Sequence, residues 1–348
     1  MFSYPTGTGG FCEKRLRKTT GSDFKTVNGA VVTVTKPRRY REDDVDYLRS
    51  MSHPETRACS SCYKTCPVRG PASLSNFLGS YRILQEHKGG HRYTTDDICT
   101  AWVARNEDKA RHLDLGTGGG SVALALRWFC KNSGDALSDH QPKTIGIEAR
   151  KDAVEYARFS ARYNLGDGVS SESYVIERGD FRDLEVLEGI LERHWGLSRP
   201  TLVTGTPPYF AVSYNPTNEE TTILEGAMPT NMQSSPARCE FRGGVDDYIR
   251  SALSCLSPGG SFVVCVNWLN KDRVYSATSA AGGHVSKVYE FKGREGKPTL
   301  FGVWVIKPGK MGEREKEMKE TIVVRKCDGT WTPQYVKVMK DCGIPTLF

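Results

Sequence analysis

Between residues 111 and 307 short apolar runs alternate with amphipathic stretches. Arg111–Leu115, Thr144–Glu148, Tyr174–Arg178, Thr201–Gly205 and Ser261–Asn267 are brief, rich in Val, Ile and Leu, and bounded by turn residues, so each reads as a strand. Helical spacing of apolar positions fills the intervals at Ser121–Lys131, Lys151–Tyr163, about 183–194 and Val245–Leu256. The segments 285–292 and 300–307 read as a closing pair of strands. Strands alternating with helices predict an α/β protein whose mostly parallel sheet is covered on both faces. No window approaches the roughly 18 uninterrupted apolar residues of a membrane span, and no internal repeat is visible.

The flanks differ. Residues 1–73 are basic and rich in turn residues, with a short strand expected near 30–35 and a helix start at 42–50, where acids occupy the first turn. Residues 74–307 form the expected globular domain. Residues 308–348 are a charged linker followed by a short C-terminal extension with strand-like and helix-like patterns. Within the domain, the polar, Pro- and Gly-interrupted segment 211–244 is long enough to serve as a lid or substrate loop.

Charge and cysteine usage narrow the setting. Of 348 residues, 48 are Lys or Arg and 41 Asp or Glu, a formal net charge of +7. That suits a polyanionic partner, and equally suits ordinary solubility. The 11 cysteines are odd in number, and most sit singly in apolar segments, as Cys255 and Cys265 do. They read as reduced core thiols of an intracellular protein. The amino terminus lacks the apolar region of a secretory signal, so cytoplasm is expected, with an organelle as the alternative suggested by the basic, acid-poor start. Cys59, Cys62 and Cys66 could ligate zinc with His53 or Cys12 as fourth ligand, or be plain surface thiols; a second Cys-x-x-Cys pair is missing.

The chemistry-bearing residues cluster at strand ends. His112-Leu-Asp-Leu-Gly-Thr-Gly-Gly-Gly120 closes one strand and opens a helix. Gly116, Gly118 and Gly120 permit a tight turn and close approach of a ligand to the backbone. A dinucleotide pyrophosphate on the helix N-terminus is one reading, but G-x-G-x-G is a poor match to G-x-G-x-x-G. Glu148 ends the second strand, where a carboxylate can accept from ribose hydroxyls. Gly179-Asp180-Phe181 follows the third, and Asp180 is either an adenine acceptor or a helix cap. The fourth strand runs into Thr204-Gly-Thr-Pro-Pro-Tyr-Phe210. Its prolines stiffen the backbone and hold Tyr209 at the carboxyl edge of the sheet, where its ring can stack on a planar substrate.

The glycine turn resembles motif I of class I S-adenosylmethionine (SAM) methyltransferases. Thr206-Pro207-Pro208-Tyr209 resembles the (Asn/Asp/Ser)-Pro-Pro-(Tyr/Phe) motif of amino-methylating SAM enzymes, with a Thr hydroxyl in place of an amide or carboxylate. Upstream, Tyr81–Ile98, running into Ala101-Trp102, resembles the family related to bacterial tRNA(Val) adenine N6-methyltransferases, in which a Gln…Gly…Arg…Thr-Asp segment precedes motif I. The resemblance spans about residues 78–307. It implies a class I methyltransferase (Rossmann-like), doubly wound, mostly parallel seven-stranded sheet. It also implies that Arg92, Thr94, Thr95 and Asp96 lie against the methionine end of SAM, and that Asp114, Gly116, Thr117 and Gly118 wrap it. Glu148 would hold the ribose, Asp180 and Phe181 the adenine, and Thr206, Pro207, Pro208 and Tyr209 the acceptor amine. The implied activity is methyl transfer to an exocyclic amine of RNA, foremost adenine N6 in tRNA, needing neither metal nor covalent nucleophile. Alternatives are a protein glutamine or small-molecule acceptor, or a catalytically weak SAM-binding subunit.

Overall fold

The computed structural model describes residues 24–27, 30–33, 72–86, 92–132, 141–166, 173–215, 220–223, 238–240, 242–312 and 316–344. The cysteine cluster at 59–66, with Cys12 and His53, and the helix expected at 42–50 lie outside them. In chain order the strands β1 (Phe24–Val27) and β2 (Ala30–Thr33) form an antiparallel hairpin, as do β3 (Ala72–Asn76) and β4 (Arg82–Glu86). Then come α1 (Thr95–Ala104), β5 (Arg111–Leu115), α2 (Ser121–Asn132), β6 (Lys143–Glu148), α3 (Lys151–Leu165), β7 (Tyr174–Arg178), α4 (Leu184–Trp195) and β8 (Leu202–Gly205). A hairpin of β9 (Val212–Asn215) and β10 (Glu220–Ile223) lies within the expected substrate loop. The rest is α5 (Val245–Cys255), β11 (Ser261–Asn267), α6 (Lys271–Ala280), β12 (Gly283–Arg294), β13 (Thr299–Pro308), β14 (Met318–Arg325) and α7 (Pro333–Asp341).

Eight of these strands make one sheet in the order β14-β12-β13-β11-β8-β5-β6-β7. All neighbours pair in parallel except at β13, which runs against both β11 and β12. The doubly wound, mostly parallel α/β architecture expected from the sequence is the one observed. Strand residues alternate between two buried layers, because both faces carry helices. Leu113, Ile145, Val203, Phe262 and Val264 belong to the core shared with α4 and α5, whereas Leu202, Val263 and Cys265 belong to the core shared with α1 and α2.

The expected seven strands are eight. The extra strand, β14, pairs in parallel with β12. Its sequence is charged over Lys316–Glu320, and Ile322 is its one fully buried residue, so an edge strand hid behind a linker-like composition. Helices α1 and α6 and the β3–β4 hairpin also went unread. The hairpin is stitched to α3 by side chains: Ser160 Oγ accepts from Leu84 N at 2.9 Å, and Asn164 Oδ1 accepts from Arg82 N at 2.7 Å.

The carboxyl-terminal helix closes the molecule behind α1. Thr332 caps α7 and Pro333 starts it, a favourable pairing for a helix N-terminus. Val338, Met339 and Cys342 are buried. Asp341 Oδ2 accepts from Trp102 Nε1 at 3.0 Å and from Arg105 Nη2 at 2.7 Å, while the Arg105 guanidinium lies 4.8 Å from the Trp102 ring centre. Asp341→Ala would leave both donors without that partner. We expect it to cost about 1–3 kcal/mol, read as a lower midpoint in thermal or urea unfolding; an unchanged midpoint would show that α7 is held by its apolar face alone.

Candidate functional site

The chain reverses direction across the sheet between β5 and β8, which are neighbours although most of 90 residues separate them. Crevices at such switch points, beyond the carboxyl ends of strands, are where open α/β sheets bind ligands. Asp114 pairs with Thr204 and Leu115 with Gly205 in the parallel register, so the glycine turn and the Thr-Pro-Pro segment leave the sheet side by side.

Gly116 and Gly118 have φ of 60° and 55°, a backbone region that side-chain-bearing residues rarely adopt. Tyr248 of α5 lies across the turn. A Cβ on Gly116 would run into its hydroxyl, and one on Gly205 would sit 2.7 Å from its ring. The turn is tied to β6, since Thr117 N donates to Ile147 O at 2.9 Å and Gly118 N to Glu148 Oε2 at 3.0 Å. The other Glu148 oxygen accepts from Arg150 N at 2.8 Å.

Beneath the turn runs a buried polar chain. Thr204 Oγ1 and Thr117 Oγ1 each donate to Asp114 at 2.6 Å, and His112 Nε2 lies 2.8 Å from Thr204 Oγ1. The one Thr204 hydroxyl proton goes to Asp114, so His112 Nε2 must be the donor and Nδ1 keeps its lone pair. Burial drives the imidazole down to about 3, assisted by Arg127, so it is neutral. Burial raises Asp114 to about 6 against the two threonine hydrogen bonds.

The cavity above this chain is lined by the turn, by Glu148, Asp180 and Phe181 at the ends of β6 and β7, and by Thr206 and Pro208 beyond β8. Ile83, Leu84 and Gln85 of β4, Tyr93, Asp97 of α1, Tyr156 of α3, Arg242 and Tyr248 complete the wall. Phe181 and Tyr248 meet edge to face, with ring centres 4.4 Å apart. Asp180 is clasped by Arg182 through Nε at 2.9 Å and Nη2 at 2.6 Å. Partial burial pushes the Asp180 carboxyl up, but the Arg182 hydrogen bonds and charge, with Arg242 beyond, hold it below the usual carboxylate range.

Of the residues singled out from the sequence, Gly116, Thr117, Gly118, Glu148, Asp180, Phe181, Thr206 and Pro208 line this one cavity. The others stand behind it or away from it. Arg92 is exposed and reaches Ser75 Oγ at 3.4 Å. Thr94 and Thr95 open α1, and Thr94 N donates to Asp97 Oδ2 at 2.9 Å. Asp114 is the buried anchor under the turn. Asp96 accepts from the Tyr209 hydroxyl, which also lies 3.3 Å from Cys265 Sγ. Asn270 Nδ2 donates to the Tyr209 carbonyl at 2.9 Å, so Tyr209 is anchored at both ends. Burial raises the Asp96 carboxyl, against the Tyr209 hydrogen bond.

Gln85, Asp97 and Tyr248 were not singled out. Gln85 and Asp97 sit inside the upstream segment, and Asp97 directly follows Asp96, so a signal existed there. Tyr248 reaches the site only through the packing of α5. Asp97 is 5% exposed. Its carboxyl is raised to about 7, chiefly by burial and then by the charge of Asp96, while hydrogen bonds from Thr94 N and Thr206 pull it down.

The residues fit S-adenosyl-L-methionine, the cofactor expected of this site. Gln85 Nε2 is buried in the cavity wall with no hydrogen-bond partner, while Tyr93 N donates to its Oε1 at 3.3 Å. An orphaned amide donor there matches a ligand carboxylate. The bare Gly116–Gly118 backbone, the Glu148 carboxylate and the Phe181–Tyr248 wall match a ribose and a planar ring.

No known family profile matches the chain, and no curated protein matches it. Solved structures are similar to it at low identity. A predicted O-methyltransferase from Agrobacterium tumefaciens is 15% identical, with 72% of this chain and 98% of that one covered, at a TM-score of 0.49. The CcbJ methyltransferase from Streptomyces caelestis is 13% identical over 62% of this chain and 90% of its own, at 0.38. TrmN from Thermus thermophilus is 15% identical over 61% and 48%, at 0.34.

His112 and Asp114 make opposite demands on pH. Between about pH 4 and 6 the folded pair carries one proton, on Asp114, and the unfolded pair also carries one, on His112, so together they add no pH dependence. Alone, the raised Asp114 loses stability as pH rises from about 4 to 6. Asp114→Asn is therefore expected to gain about 1.4 kcal/mol relative to the wild type for each pH unit in that window. Denaturant unfolding of both proteins from pH 4 to 6 reads this directly, and a flat difference would mean Asp114 stays ionised in the fold.

Proposed function

We propose that this protein is a SAM-dependent methyltransferase acting on an exocyclic amine of RNA, foremost adenine N6 in tRNA. The observation that carries the reading is that Thr206 and Pro208, at the end of β8, share one cavity with the Gly116–Gly118 turn. A cofactor held by the turn would face whatever the Thr-Pro-Pro segment holds. When bound, the cofactor supplies an electrophilic methyl group on a sulfonium, and the protein's task is alignment.

Gln85 donates its free amide hydrogens to the methionine carboxylate. Glu148, each of whose oxygens keeps acceptor capacity after the bond to Gly118 N or Arg150 N, takes the ribose hydroxyls. Phe181 and Tyr248 form the wall beside the adenine, and Asp180, fixed by Arg182, presents an acceptor at its edge. The Thr206 hydroxyl accepts from an N–H group of the incoming amine, beside Pro208. Tyr209, tied to Asp96, Cys265 and Asn270, holds the Pro-Pro backbone rigid. An RNA acceptor is supported by the net charge of +7, by the exposed Arg238 and by Arg242 at the cavity wall. Among the described residues no helix is long and apolar enough to cross a membrane.

The test incubates the purified protein with labelled SAM and total tRNA, then digests the RNA and identifies the labelled nucleoside by mass. N6-methyladenosine is expected. Gly116→Ala, whose new methyl meets the Tyr248 hydroxyl, should weaken SAM binding by calorimetry at least tenfold and lower the label in proportion. SAM binding without RNA label would move the acceptor to a protein amide or a small molecule. Absence of SAM binding in the wild type would overturn the reading.

A further inference from the structure

Methyl transfer to an amine leaves a proton to be removed, and Thr206 has no basic group. Glu148 and Asp180, the carboxylates at the ends of β6 and β7, are engaged by Arg150 and Arg182 respectively. Asp97 of α1 lines the same cavity as Thr206, and the Thr206 hydroxyl acts on its carboxyl. We propose that Asp97 is the proton acceptor of this site, acting with the Thr206 hydroxyl beside it. The proposal rests on the reading of the cavity as a SAM site.

Chemistry and geometry agree on the pairing. A carboxylate offers about four acceptor positions, and Thr94 N occupies one, leaving room for the Thr206 hydroxyl in the same wall and for an incoming proton. The Thr206 proton directed at Asp97 leaves that hydroxyl's lone pairs for an N–H of the acceptor. As the nitrogen lone pair forms the new N–C bond, the electron pair of the breaking C–S bond stays on sulfur, and the surplus N–H proton passes to a carboxylate oxygen of Asp97. The carboxylate becomes a neutral acid and no other co-reactant is needed. Burial and the neighbouring negative charge make that neutral form accessible near neutrality. The titratable groups facing Asp97 are Asp96 and Cys99 on its own helix, Tyr93 before it, Asp114 from β5 and Cys265 from β11. Arg238 acts on Asp96. The structural alternative is that Asp97 only completes the start of α1 by accepting from Thr94 N.

Asp97→Asn separates the two, because its amide oxygen still accepts from Thr94 N while its charge is gone. The first readout is binding rather than turnover. Sinefungin carries an amine-bearing carbon where the methyl-sulfonium stands, and S-adenosylhomocysteine carries a neutral sulfur. By calorimetry the wild type should prefer sinefungin at pH 8 by tenfold or more, and the preference should shrink as pH falls through about 7. Asp97→Asn should bind both analogues with similar affinity at every pH. With an acceptor in hand, Asp97→Asn should lower kcat at saturating SAM by about 10²-fold or more and should lose the acid limb of the pH–rate profile. Thr206→Ser should keep activity and Thr206→Val lose most of it. An unchanged analogue ratio in Asp97→Asn, or an equal loss of both analogues, would overturn the proposal while leaving the SAM site standing. A wild type that binds neither analogue would overturn the SAM reading and this one with it.

Discussion

The contact on which the site depends is the parallel pairing of β5 with β8, sealed from below by the chain His112–Thr204–Asp114–Thr117. Two of its three links, His112–Thr204 and Thr204–Asp114, join one motif to the other, and the third ties Asp114 to the glycine turn. Asp114 accepts hydrogen bonds from a threonine on β8 and a threonine in the glycine turn, and so holds the two loops in one arrangement. A charge buried this deeply costs free energy unless it is neutralised or fully hydrogen-bonded. Here both devices operate, since Asp114 is raised toward protonation and accepts two short hydrogen bonds. An apolar pair in these places would pack, but it would not fix the direction in which the turn leaves the sheet.

The sheet's central strands were legible because their physics is local. Arg111–Leu115, Tyr174–Arg178 and Ser261–Asn267 keep their sequence-read limits, since each is a short apolar run cut off by turn residues at both ends. β14 was legible only from about Thr321, where the tail turns strand-like; its charged start at Met318–Glu320 faces solvent because an edge strand buries little. The β3–β4 hairpin was missed because its stabilising partners, Ser160 and Asn164, lie some 80 positions away. Likewise, spacing alone pointed to the strand-end residues that share the cavity, whereas adding Asp97 and Gln85 required knowledge of how α1 and β4 lean over the switch point. Asp96 and Tyr209 share motifs with cavity residues, yet they brace the wall rather than form it, and Arg92 lies exposed away from it.

The wall also links remote parts of the chain. α1 carries Asp96 and Asp97 at its first turn and Trp102 at its far end, where Asp341 of α7 holds it. The last described helix thus buttresses the helix that faces the cavity, although nothing in it touches the site. Rigid support of this kind is what positions side chains closely enough for transfer chemistry.

Tyr248 has a consequence for how such a sequence can change over time. Its single ring fills the space that side chains at both Gly116 and Gly205 would need. The two glycines are nevertheless held for different reasons. Gly116 is fixed by its backbone as well, at φ 60°, so no change at 248 frees it. Gly205 is limited by space alone, so positions 205 and 248 form one evolutionary pair: a larger residue at 205 becomes admissible only after 248 has shrunk, and the order of the two changes is constrained even where the end points are equally fit.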